Sequence, residues 1–308
     1  MSNTIASLRR KINSAGNLQS VVRTMKALAA SNISQYEQSV RALGDYYRTV
    51  ELGLGVCFRA GNPALQTAGG TSVTETSSIG VVVFGSDQGL VGQFNDKVAE
   101  HALETLAGLT GNPLIWAVGE RVHARLHDAG VPPSGLLSVP HSIKAITPLV
   151  GRILLESEAF RSEGRITGLH LFYNRQTTRA VYAPVHQRLL PLDEAWRSNL
   201  AGQAWPTGNL PEVIGRDTVT LRALLREYLF VSLYRACAES LASENASRLA
   251  AMQRAEKNID ELLEGLNSTY HRLRQSGIDE ELFDVIAGFE ALSPGANRST
   301  LGHTSRAI

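Results

Sequence analysis

Apolar residues recur at steps of three and four from the start of the chain. Ile5, Leu8, Ile12, Leu18, Val22, Met25, Leu28, Ile33, Tyr36, Val40 and Leu43 follow one another with no proline among them, and the spacing predicts one helix over 4–58. Gly16, Gly44 and Gly53 weaken it only locally. A polar stretch rich in Gly, Pro and Thr, "AGNPALQTAGGTSVTETSS", then reads as a linker over 59–78. Beyond it the period changes. The runs "SIGVVVF", "PLIWAVG", "GLLSVP", "ITGLHLFYN" and "VYAPVHQRLLPL" read as strands, separated by helical segments near 96–108, 119–129 and 145–162. That alternation over 79–192 predicts a mostly parallel sheet covered by helices, with an antiparallel strand added last. Residues 193–214, which contain Pro206, Gly208 and Pro211, read as a loop.

From Asp217 to Leu292 there is again no proline, and apolar positions continue from Leu221 through Leu241, Ile259 and Leu273 to Phe289. A single helix of this length would extend about 114 Å at 1.5 Å per residue, and its stripe needs cover. The helix at 4–58 is the obvious cover. Residues 1–58 carry seven Lys/Arg against three Asp/Glu, whereas residues 217–292 carry eight against thirteen, so the two helices attract. The predicted fold is therefore a long antiparallel coiled coil made from the two ends of the chain, with a mostly parallel α/β domain inserted between them. A tail, 293–308, follows Pro294 and Gly295; it holds Arg298 and Arg306, has no acidic residue, and is expected to be extended and mobile.

Composition narrows the function. The formal net charge is +1, which implies neither a nucleic-acid partner nor an acidic substrate. Cys57 and Cys237 have no metal spacing and suit packing in a reducing compartment. No apolar run is long enough to span a bilayer, and the opening "MSNTIASLRRKI" lacks a signal-peptide core.

The stretch "VVVFGSDQGLVGQFNDKV", 81–98, superficially resembles a phosphate-binding loop because a strand runs into Gly85, Gly89 and Gly92. A Walker-type loop places Gly-Lys-Ser/Thr at the helix start, and here Gly92-Gln93 stands instead. The glycine spacings of four and three also miss the dinucleotide fingerprint, and the Asp87 carboxylate would repel phosphate. The glycines are expected to make a tight turn with positive φ, and Asn95 to cap the next helix. His123 and His127 form a lone i, i+4 pair without a third ligand. No residue pattern points to catalysis, a cofactor or a metal.

Three stretches together resemble the gamma subunit of F-type ATP synthases: "LRRKINSAGNLQSVVRTMKALAAS" at 8–31, "SDQGLVGQFN" at 86–95, and the closing segment at 233–292. The resemblance implies a non-catalytic central shaft that couples rotation of a membrane ring to ATP synthesis or hydrolysis. It implies alpha, beta and epsilon subunits and the membrane rotor ring as partners, and a peripheral place on the cytoplasmic face of a bacterial plasma membrane. Under it, Met25 matches a methionine facing the beta-subunit lever, and Arg9, Arg10 and Lys11 match the basic start. Arg248, Gln275 and Glu281 match polar positions on the closing helix that help couple rotation to catalysis. Departures include Asn32, Ile33, Ser34 and Gln35 where Lys or Arg is common, Asp279 for a threonine, and Val91 for a cysteine. Glu212 matches a rotor-ring contact only across gaps. A nucleotide-dependent α/β enzyme with helical arms and a non-rotary coiled-coil scaffold remain as alternatives.

Overall fold

The computed structural model describes residues 4–59, 78–109, 112–178, 181–209, 211–212 and 217–292. Most of the expected linker and the whole 293–308 tail, with Arg298 and Arg306, lie outside the described residues. Helix α1 is Ile5–Arg59, and the closing helix, α6, is Asp217–Leu292. Between them come β1 (Ser78–Phe84), α2 (Phe94–Ala107), β2 (Leu114–Val118), α3 (Glu120–Asp128), β3 (Gly135–Leu137), α4 (Ile143–Ser162), β4 (Ile166–Arg175), β5 (Ala183–Leu190) and α5 (Glu194–Gly202). The chain divides into two compact units: an end unit, built up to Arg23 and from Arg254, and a central unit, Thr24–Gln253.

In the end unit, α1 begins where the Thr4 hydroxyl accepts a hydrogen bond from the Ser7 N–H at 3.3 Å. Leu8, Ala15 and Val22 are buried, one every seven residues, as is Ile259 on α6. The Gln19 amide donates to Asp260, and Arg23 Nε pairs with Glu256 Oε1 at 2.9 Å. As the α1 number rises, the α6 number falls, so the helices run antiparallel. The seven-residue step continues in the central unit with Ala29 and Tyr36, and Asn32 and Tyr46 reach Asn245 and Glu227 at 3.3 and 2.7 Å. A seven-residue seam is the coiled-coil pattern.

That seam departs from the large residues of the sequence pattern. Leu18 and Leu28 are 53% and 60% exposed, and alanines 15 and 29 occupy the seam instead. A seven-residue step starting at Leu8 passes through the alanines, whose small size lets the backbones approach. Leu28 lies one residue before Ala29, and Leu18 three residues after Ala15, so both fall off the line.

The five expected strands form one sheet in the order β3-β2-β1-β4-β5, with parallel pairing up to β4 and β5 antiparallel at the edge. One face packs Val81, Val83, Ile115, Ala117 and Phe172 against Val98 and Ala102 of α2 and Val122 and Leu126 of α3. The other packs Val82, Phe84, Trp116, Leu171 and Tyr173 against α4 and against Leu233, Tyr234, Ala238 and Leu241 of α6. The central unit is therefore a three-layer α/β domain that uses the closing helix as part of one layer.

The 193–214 segment is a loop only in its second half. Asp193 accepts from the Ala195 N–H at 3.2 Å and caps α5. Trp196 and Leu200, one turn apart, then pack in a cluster with Val50, Leu54, Leu221 and Tyr228. Pro206 and Pro211 follow that helix, so they end it rather than prevent it.

Candidate functional site

In a parallel sheet whose order reverses, ligands bind at the carboxyl ends of the two strands where the connections diverge. Here that point lies between β1 and β4, and the glycine loop follows β1. If the loop held a ligand, this is where it would do so.

The loop is instead held by this chain's own side chains. Gly85 is packed so closely that a Cβ there would lie 2.4 Å from Val122 Cβ. The Ser86 N–H donates to Asn95 Oδ1 at 2.9 Å, and Asn95 Nδ2 donates to Ser86 Oγ at 2.8 Å. Asn95 is buried in the first turn of α2, so it ties the loop across its neck and does not cap the helix. The residue before the helix is Gln93, whose side chain makes no capping bond. Asp87 receives two backbone N–H bonds, from Glu120 at 3.0 Å and from Val139 at 2.9 Å. Its carboxylate thus sits at the positive start of α3, where an anion is favoured. Of the three glycines only Gly92 needs positive φ, at 56°; the other left-handed residue in the turn is Leu90, at 64° and 62% exposed.

The crevice beyond the loop is filled by the closing helix. Ser247 Oγ donates to the Val91 carbonyl at 2.5 Å, and Gln176 Nε2, just past β4, donates to the Ala242 carbonyl at 3.3 Å. Asn174 Nδ2 crosses from β4 to the Phe94 carbonyl at 2.9 Å. Val91, Phe94 and Tyr182 close an apolar plug beside these bonds. A nucleotide phosphate at this point would meet a carboxylate and a packed helix.

The residues expected at subunit contacts are distributed differently. Arg9, Arg10 and Lys11 are exposed on α1, and Gln275 and Glu281 are exposed on α6, all in the end unit. Met25 is half-buried in the central unit. Arg248, also in the central unit, is largely buried, and its Nη2 pairs with Glu244 Oε1 at 2.6 Å. Burial pushes the Glu244 carboxyl above the usual carboxylate range, and the Arg248 guanidinium opposes that shift. The closing helix also carries the uncovered apolar surface that its greater length implies: Ile278, Leu282, Phe283, Val285, Ile286 and Phe289 are between 46% and 73% exposed. The unequal lengths of the two helices, 55 and 76 residues, are legible in the sequence and already imply a stripe that α1 does not cover.

A second polar group lies on the sheet near its antiparallel edge. His170 Nδ1 and His186 Nε2 are 2.8 Å apart, and His186 lies flat on Phe172 with ring centres 4.7 Å apart. Burial, then the neighbouring His186 and Arg188, push the His170 imidazole down to about 4. His186 is lowered by burial, then by His101 and Arg188. Among the described residues no group of three or more His, Cys, Asp or Glu could hold a metal ion, and no helix is long and apolar enough to cross a membrane.

A helix pair built from the chain ends with an α/β domain inserted between them finds its counterpart in one family. The family model described as ATP synthase matches residues 4–292. The chain belongs to the ATP synthase gamma-chain family. The gamma chain of Nitrosomonas europaea is 25% identical over 303 residues, covering 92% of this chain and 98% of its own length. That of a Cyanothece species is 29% identical over 322 residues, covering 94% and 99%. Among solved structures, a chain of the Euglena gracilis mitochondrial ATP synthase OSCP/F1/c-ring assembly superposes with a TM-score of 0.59 at 18% identity, covering 97% of this chain and 99% of its own. A chain of the Tetrahymena thermophila mitochondrial central stalk/c-ring gives 0.53 at 20% identity, covering 76% and 99%. These structural likenesses carry the fold, and the family match carries the membership.

Proposed function

We propose that this chain is the central stalk of a rotary F-type ATP synthase, transmitting rotation between a membrane ring and a catalytic head. The observation that carries the proposal is the closing helix. Its 278–289 stretch offers six large apolar side chains to solvent, which a partner surface must cover. In this reading the alpha and beta subunits supply that surface, and the epsilon subunit and rotor ring meet the α/β domain. The chain itself carries no reaction step, and the complex makes or hydrolyses ATP at the inner face of a bacterial plasma membrane. Arg9, Arg10, Lys11, Met25, Arg248, Gln275 and Glu281 are the proposed contact positions, Arg248 only after exchanging its Glu244 partner for one on the head. The α/β domain is the foot, 59–78 the linker, and 293–308 a tail beyond the shaft.

The nucleotide-dependent enzyme loses its main support, because its crevice is occupied by Ser247 and the helix around it. The test is assembly. The chain alone is expected to aggregate through the 278–289 surface, and with alpha and beta subunits it should elute as one complex with ATPase activity. A stable, monodisperse chain that ignores both subunits would overturn the proposal.

A further inference from the structure

We infer that Glu239 is a positioning residue that fixes the rotational register of the α/β domain on the two helices, so that the domain and the helix pair of the central unit turn together. This rests on the rotary reading above.

At Glu239 the sheet, the closing helix and the opening helix are joined through charged groups in a chain of contacts. Its carboxylate is 10% exposed and holds two guanidinium groups. Oε2 accepts from Arg175 Nε, at the end of β4, at 2.5 Å. Oε1 accepts from Arg235 Nε, one turn earlier on α6, at 2.8 Å. Arg175 also donates to the Tyr173 hydroxyl on β4. Arg235 lies over the Tyr47 ring of α1, 6.0 Å from its centre. Farther along α6, Gln176 and Ser247 add the two bonds to Ala242 and from helix to loop already described. The ties fall at 239, 242 and 247 along α6, the middle one at a backbone carbonyl.

Apolar packing between the sheet and α6 supplies cohesion but little direction, because burial is insensitive to orientation. Hydrogen bonds weaken steeply as their angles change, and a charge held by two guanidinium groups is shorter and stronger than a neutral pair. The polar ties are therefore the part of the interface that resists a twist about the helix axis. An idle domain has no use for such resistance, whereas one through which torque passes does.

The test loads the rotor. In the complex reconstituted into vesicles, unloaded ATP hydrolysis and the largest ion gradient sustained by ATP-driven pumping are measured for wild type, Glu239→Gln and the double variant Glu239→Ala/Gln176→Ala. The double variant is expected to hydrolyse ATP within about 20% of wild type while its sustained gradient falls at least two-fold, with Glu239→Gln in between. A gradient equal to wild type per assembled complex overturns the inference, even if the melting temperature falls, because that would be a purely structural role. Should the double variant fail to assemble, Glu239→Gln alone decides by the same ratio. A control separates the underlying reading: cross-linking the closing helix to the head must stop wild-type hydrolysis, and continued hydrolysis there would refute the rotary shaft rather than the role of Glu239.

Discussion

Two stretches of the closing helix share one secondary structure and almost nothing else. Over 231–247, in the central unit, Arg235 is the only exposed residue, and the sequence is dense in Ser and Ala. Over 254–289, in the end unit, Ile259 is the only buried residue, and 12 of the 36 residues are charged. A helix buried all round needs small residues so that a sheet and other helices can close on it. A helix covered on one narrow seam needs only about two residues in seven facing its partner. The first stretch is part of a folded domain, and the second is a surface waiting for one.

The sharpest way to break this comparison is to truncate one side chain in each stretch. Leu233 is fully buried in the larger core, so Leu233→Ala is expected to destabilise the chain by about 3 kcal/mol. Urea denaturation measures it. A loss below 1 kcal/mol would mean that the dense stretch is not part of the domain core.

Acid should separate the stretches next, because the titrating histidines belong to the central unit. His170 has a folded pKa near 4 against an ordinary 6.5, so the neutral form is the folded one. Its contribution is complete above pH 6.5 and is lost as pH falls toward 4, by about 3 kcal/mol, with His186 acting in the same direction. Denaturation curves between pH 7 and 4.5 should show the decline, and His170→Phe should flatten it. An unchanged slope in that variant would assign the acid sensitivity elsewhere.

The smallest effect belongs to the bare stretch. Phe283 is 69% exposed, so Phe283→Ser is expected to change the stability of the chain by less than about 0.5 kcal/mol. It should nevertheless weaken assembly with the alpha and beta subunits several-fold in a titration. A variant that lost stability but assembled normally would reverse the roles of the two stretches.

Much of this was legible in the sequence. Five strands and the helices between them followed from short apolar runs such as "SIGVVVF" and "PLIWAVG" set against segments at period 3.6. The closing helix was legible from an absence of proline between Asp217 and Leu292. The sheet order and its antiparallel edge fit the same alternation. The seam of α1 was less legible, because Ala15 and Ala29 look unremarkable beside Leu18 and Leu28, and only the partner's position decides which line is buried. Helix α5 was hidden by the prolines and glycines that follow it. At the glycine loop, glycine spacing and Asp87 argued against a nucleotide, but the sequence could not show why no room is left for one. The reason is tertiary: Ser247 lies 156 residues beyond Val91, and Asp87 caps a helix 33 residues away. Asn95 looked like a cap because local pattern cannot distinguish a cap from a tie made one turn later.

The most direct test of the rotary account is to watch the α/β domain while ATP is consumed. Leu155 is 68% exposed on α4, and Cys57 and Cys237 are buried, so a Leu155→Cys variant offers one accessible thiol among the described residues. With the catalytic head fixed to a surface and a bead on that thiol, ATP should drive continuous rotation in one direction that stops when ATP is exhausted. Steady ATP hydrolysis with the bead stationary would contradict the account.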